Sequence, residues 1–162
     1  MPQQTIFERT SVNLVYLTAG PEETQALARK LAALLRPGDF LALVGELGGG
    51  KTCFVQGLAE ALGVQGRVGS PTFVLLHYHP GPLPLCHVDA YRVGSGEELR
   101  DLGLEDYARL GVIALEWADR VPEVCPPDAL TISFAYADPG RRLEFSARGE
   151  RSTALLEEIG AT

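Results

Sequence analysis

The 162-residue chain is 46% hydrophobic and 22% charged, with a formal net charge of −7. That is the profile of a globular protein with enough length to bury a sizeable core, and a single domain over residues 1–162 is expected. The charge argues against tight, direct nucleic-acid binding: phosphate neutralisation supplies most of that affinity, and the basic residues here, nearly all arginine, are scattered among carboxylates. No window holds 18 uncharged apolar residues, and the start MPQQTIFERT lacks the basic and apolar regions of a signal peptide. Cys53, Cys86 and Cys125 are widely spaced and form neither a disulfide framework nor a C-x-x-C zinc signature, so a reduced, cytoplasmic protein is expected.

The first predicted helix runs from Pro21 to Leu35, with Leu27, Leu31, Leu34 and Leu35 on one face, Pro21 at its start and RPGD after it. The apolar run FLALV, Phe40–Val44, is short enough for a strand buried on both faces. A glycine stretch follows it. Phe54, Val55, Leu58 and Leu62 then mark a second helix closed by Gly63. TFVLLHYH and LPLCHVDAY, around the turn PGP, read as a hairpin, and EELRDLGLEDYARL as one or two short helices. VIALEW is another buried strand, and ALTISFAY and RLEFSAR form a second hairpin around ADPGR. With helices mostly early and strands throughout, the expected fold is an α/β sandwich of the P-loop NTPase kind, with a mixed sheet flanked by helices.

The glycine stretch GELGGGKT, Gly45 to Thr52, carries the chemistry. A strand, then Gly45-x-x-x-x-Gly50-Lys51-Thr52, then a helix is the full context of a phosphate loop. Glycines allow successive backbone N–H groups to turn inward on phosphate oxygens, and a helix N-terminus adds unsatisfied donors. Lys51 is placed to reach the β- and γ-phosphates, and the Thr52 hydroxyl to ligand Mg²⁺. Asn13 is the only asparagine and lies far upstream, so no N-K-x-D guanine-reading motif exists and ATP is the expected nucleotide.

Such a loop needs an acidic partner at the end of a neighbouring buried strand. Asp89 ends LCHVD and Glu116 ends VIALE, and either could hold the metal while the other orients water. The plainer alternative is that each acid caps its strand or pairs with Arg92 or Arg120. His77, His79, His87, Cys86 and Asp89 also admit a metal cluster, but nothing in the sequence brings their faces together. Trp117 is read as partly buried packing, with a place beside the nucleotide as the alternative.

With GELGGGKT, GSPTFVLLHYH, HVDAYRV, EELRDLGLEDY and VIALEWADR in this order, the chain resembles the TsaE (YjeE) family, the ATPase of bacterial tRNA threonylcarbamoyladenosine synthesis. The resemblance spans about Pro21 to Arg148. It implies a P-loop fold, ATP and Mg²⁺ as cofactors, and two partner proteins, TsaB and TsaD, through which tRNA is reached. It implies further that ATP hydrolysis supports turnover of that complex, the threonylcarbamoyl transfer belonging to TsaD. Carried over by motif, Leu47, Gly48, Gly49, Gly50, Lys51 and Thr52 would contact the phosphates, and Thr52 with Glu116 would hold Mg²⁺. Asp89 would support hydrolysis, and Thr72 of SPTF would lie near the γ-phosphate, its alternative being a strand-start residue after Pro71. Nucleotide contacts are also implied near Pro21 and near Gly140 and Arg141. Cys53 and Ala90 depart from the family's usual residues without removing a chemical group. The rival readings are a small-molecule kinase, disfavoured by a C-terminal third read as largely strand and turn, and a non-catalytic nucleotide-dependent interaction module.

Overall fold

The computed structural model describes residues 12–46, 48, 50–66, 68–69 and 75–162. Its centre is a seven-stranded mixed sheet in the order β1-β7-β6-β2-β5-β4-β3. The strands are β1 (Val12–Thr18), β2 (Phe40–Gly45), β3 (Leu76–His79), β4 (Leu85–Asp89), β5 (Val112–Glu116), β6 (Leu130–Tyr136) and β7 (Arg141–Ala147). β2 runs parallel to β5 and β6, and β4 parallel to β5. The outer pairs β3–β4, β6–β7 and β1–β7 are antiparallel. The five residues of β4 and of β5 are all buried, which is why LCHVD and VIALE read as apolar runs ending in an acid.

Helices cover both faces. α1 (Pro21–Ala32), α2 (Lys51–Ala61) and α5 (Glu150–Gly160) pack Leu27, Leu31, Phe54, Leu58 and Leu155 against the side of β2 that carries Leu41 and Leu43. α3 (Gly96–Asp101) and α4 (Leu104–Leu110) bring Leu99 and Leu104 to the other side, with Phe40, Ala42, Ile113 and Leu115. The alternation along β2 thus feeds two cores at once.

The expected α/β sandwich with a mixed sheet is the fold observed, and both expected hairpins are present. Residues 72–74 of the first hairpin lie outside the described residues. α1 stops at Ala32 rather than Leu35, and its last turn tightens as the Leu34 and Leu35 N–H groups donate to Leu31 O and Ala32 O. Arg36 precedes Pro37, and the residue before proline is pushed out of helical geometry. Two elements appear that the pattern did not announce. β1 is an edge strand beside β7, and α5 places a helix in the C-terminal third, which is therefore not all strand and turn. No helix among the described residues is long and apolar enough to cross a membrane.

Candidate functional site

The C-terminal ends of β2, β4 and β5 bring together residues that are far apart in sequence. Gly45 closes β2, Asp89 closes β4, and Glu116 closes β5 in direct register with Asp89. The Ala90 N–H donates to Glu116 O at 3.0 Å, tying the two strand ends. A crevice at the carboxyl ends of parallel strands is where α/β sheets bind ligands.

The loop between β2 and α2 is shaped by glycine. Gly45 has φ +142°, and a Cβ there would lie 2.5 Å from Phe134 O, so the loop leaves the sheet in contact with β6. Gly50 sits in the left-handed region at φ +102° as the N-cap of α2, a geometry that glycine adopts without Cβ strain. α2 has no side-chain cap and no acid in its first turn, whereas the first turns of α1, α3, α4 and α5 each hold a carboxylate. Among the described α-helices, α2 alone keeps its positive N-terminal end unneutralised. That is what an anion would require.

Lys51 opens α2 yet is only 4% exposed. Its ammonium donates to the carbonyl oxygens of Gly45 and Glu46 and stands 4.0 Å from the centroid of the Trp117 ring. Burial draws its pKa below the ordinary lysine value, against the pull of Glu116, Asp119 and Asp89. Thr52, one residue on, donates its hydroxyl to the Glu116 carboxylate, with Oγ1 at 3.1 Å from Oε1 and 3.3 Å from Oε2. Glu116 is 3% exposed, and its Oε2 is also the partner of His87 Nε2. Asp89 accepts the Tyr91 N–H through Oδ1 at 2.8 Å. Burial is the main cause that raises the Asp89 pKa; the Tyr91 N–H works against it, and the neighbouring Glu116 adds to it.

The remaining candidates ring this pocket. Trp117 adopts φ +60°, the one non-glycine residue with positive φ among those described, and its ring lies 4.9 Å from that of Tyr91. Arg120 donates to the Tyr91 carbonyl and lies over the Tyr91 ring. Pro21 reaches the first turn of α2, where the Cys53 thiol meets its carbonyl at 3.6 Å. Arg141 donates to Gly140 O at 2.9 Å and across to Gly48 O at 3.2 Å, with its guanidinium over the Tyr136 ring. Gly48, Gly50, Lys51, Thr52, Asp89, Glu116, Trp117, Pro21, Gly140 and Arg141 therefore gather at one end of the sheet, around the β2–α2 loop and the start of α2. Leu47, Gly49 and Thr72 lie outside the described residues. His77 and His79 are neighbours on β3, and the described residues hold no group of three or more His, Cys, Asp or Glu side chains arranged for a metal.

Sequence reasoning passed over His87 as a partner of Glu116, and Tyr136 as the platform under Arg141. The first had a signal: His87 and Asp89 are two residues apart on one strand and so share a face. The second had none, because the Arg141–Tyr136 stack depends on the register of β6 against β7.

The family model for the threonylcarbamoyl adenosine biosynthesis protein TsaE matches residues 18–143. The chain belongs to the TsaE family. It is 44% identical over 149 residues to the tRNA threonylcarbamoyladenosine biosynthesis protein TsaE of Bacillus subtilis, covering 90% of this chain and 93% of that one. The TsaE protein of Streptomyces coelicolor is also 44% identical, over 77% of this chain and 90% of its own. The crystal structure of Bacillus subtilis YdiB superposes with a TM-score of 0.82 at 38% identity, over 93% of this chain and 96% of that one. The TsaE assignment places the chain in tRNA threonylcarbamoyladenosine biosynthesis, and the family match runs from Thr18 across the whole crevice to Leu143.

Proposed function

We propose that the chain is the Mg²⁺-dependent, cytoplasmic ATPase of tRNA threonylcarbamoyladenosine synthesis, hydrolysing ATP to support turnover of a TsaB–TsaD complex. The observation that carries this reading is the meeting of the unneutralised α2 N-terminus and the Lys51 ammonium with the Thr52–Glu116 pair and Asp89. One half of the crevice suits polyphosphate. The other half offers hard oxygen donors, the type magnesium takes.

Lys51 would exchange the neutral carbonyls of Gly45 and Glu46 for the charged β- and γ-phosphate oxygens, and its ammonium would balance charge that grows as the γ-phosphoryl group departs. Backbone N–H groups of the loop and the first turn of α2 would bind the remaining phosphate oxygens. The Thr52 hydroxyl and the Glu116 carboxylate would hold magnesium, which when bound neutralises charge on the β- and γ-phosphate oxygens. Asp89, at the end of the adjacent strand and with Oδ1 accepting the Tyr91 N–H, would accept a hydrogen bond from the attacking water and orient it. Trp117, Tyr91 and Arg141 line the rim, where they exclude water or meet the nucleoside. The net charge of −7 supports a route to tRNA through partner proteins.

Incubation with ATP labelled at the γ-phosphate separates hydrolysis from group transfer. Release of labelled inorganic phosphate supports the ATPase. Appearance of the label on a small acceptor, with no free phosphate, would establish a kinase instead.

A further inference from the structure

His87 is fully buried in the middle of β4, yet it is a polar residue among apolar ones. Its Nε2 meets Glu116 Oε2, while its Nδ1 is buried with no hydrogen-bond partner. With Nδ1 unpartnered, the ring's hydrogen bond is made by Nε2, and it is directed at one carboxylate oxygen. An unpaired polar atom in a core costs stability, so packing alone does not account for histidine at this position.

The consequence lies in Glu116. Its carboxylate sits between two donors, His87 Nε2 from β4 and Thr52 Oγ1 from α2, so rotation about its terminal bond is blocked from both sides. Asp89 stands beside it in register, and a carboxylate free to rotate would face that like charge. The hydrogen bond from His87 leaves Oε1 directed at the Thr52 hydroxyl.

We propose that His87 is a positioning residue that fixes the Glu116 carboxylate toward Thr52 and so preorganises the pair for a divalent cation bound with nucleotide. This rests on the reading of Thr52 and Glu116 as the cation site. Groups that orient metal ligands in this way typically contribute about 10–100-fold to metal affinity.

The test is ATP affinity, measured by calorimetry in excess Mg²⁺ and again in EDTA, for the intact chain and for His87→Phe, His87→Gln and Glu116→Ala, each checked by thermal melting. His87→Phe is expected to weaken binding about tenfold or more in Mg²⁺ and to leave binding in EDTA unchanged. His87→Gln, which retains an N–H donor of similar reach, is expected to recover most of the loss. If His87→Phe fails to fold, His87→Asn, whose amide is too short to reach Glu116, takes its place. Equal losses with and without Mg²⁺, or no loss at all beside a clear loss in Glu116→Ala, would overturn the positioning role. Unaltered Mg²⁺ dependence in Glu116→Ala would instead remove the cation-site reading on which the role rests.

Discussion

The Lys51 ammonium stands 4.0 Å from the centroid of the Trp117 ring while donating to two carbonyls of its own loop. The groups that touch the lysine are neutral dipoles and a π-face, while Glu116, Asp119 and Asp89 also attract its charge; in the proposed function anionic phosphates would replace the neutral partners at a gain. Trp117 is the only tryptophan in the chain, so its emission would report such an exchange.

Binding of ATP is expected to change tryptophan fluorescence saturably as Lys51 leaves the indole. Lys51→Ala should alter the resting emission, weaken the titration, and lower any hydrolysis by about 10²–10³-fold. A titration identical to that of the unaltered chain would show that Lys51 does not meet the phosphates.

Asp89 carries an expectation of opposite sign for stability and for rate. Its pKa is raised, chiefly by burial, so its charge is a cost to the folded state that builds as pH rises from the ordinary aspartate value of 3.8 and is complete above the raised value. Asp89→Asn should therefore hold or raise the melting temperature at neutral pH while cutting hydrolysis by about 10²–10⁴-fold. In the unaltered chain any hydrolysis should begin to fall, as pH is lowered, at a pH where an ordinary aspartate would still be ionised. A parallel loss of stability and rate in the asparagine variant would indicate a structural acid.

The part of the fold that carries the candidate site was legible because its signals are local. The run FLALV, the glycines and the apolar spacing of Phe54, Val55 and Leu58 specify strand, loop and helix within about one window each, and β2 and α2 stand where they indicate. LCHVD and VIALE identified Asp89 and Glu116 as strand-end acids, although their registration as neighbours is a property of the sheet. β1 was missed because Leu14, Val15, Tyr16 and Leu17 form a continuous apolar run at an edge, with Leu17 72% exposed, rather than a clean alternation. α5 was missed because its N-terminal cap comes from a distant residue. Asp128 accepts the Arg151 N–H at 3.1 Å and the Ser152 N–H at 2.9 Å, a contribution that no local window contains and that adds to the local bond from the Gly149 N–H to Ser152 Oγ at 3.2 Å.

That distant cap yields a stability prediction. Burial alone would raise the Asp128 pKa, but the hydrogen bonds from Ser152 and Arg151 and the Arg151 charge outweigh it, and the net shift is downward. A depressed pKa contributes stability that is present above the ordinary aspartate value of 3.8 and is lost as pH falls through the lower folded value. Asp128→Ala should cost about 1 kcal/mol at neutral pH, as loss of a helix cap does. The difference between the two chains in denaturant unfolding should shrink below about pH 4. A difference independent of pH would show that the carboxylate charge is not what holds α5.

Phosphate release from Mg·ATP by the purified chain, alone and with TsaB–TsaD, tests the central claim most directly, with Lys51→Ala as the control. The account predicts slow hydrolysis alone, a sharp rise with the partners, and loss of both in Lys51→Ala. Equal rates with and without the partners would contradict a partner-gated ATPase, and hydrolysis surviving in Lys51→Ala would remove the site itself.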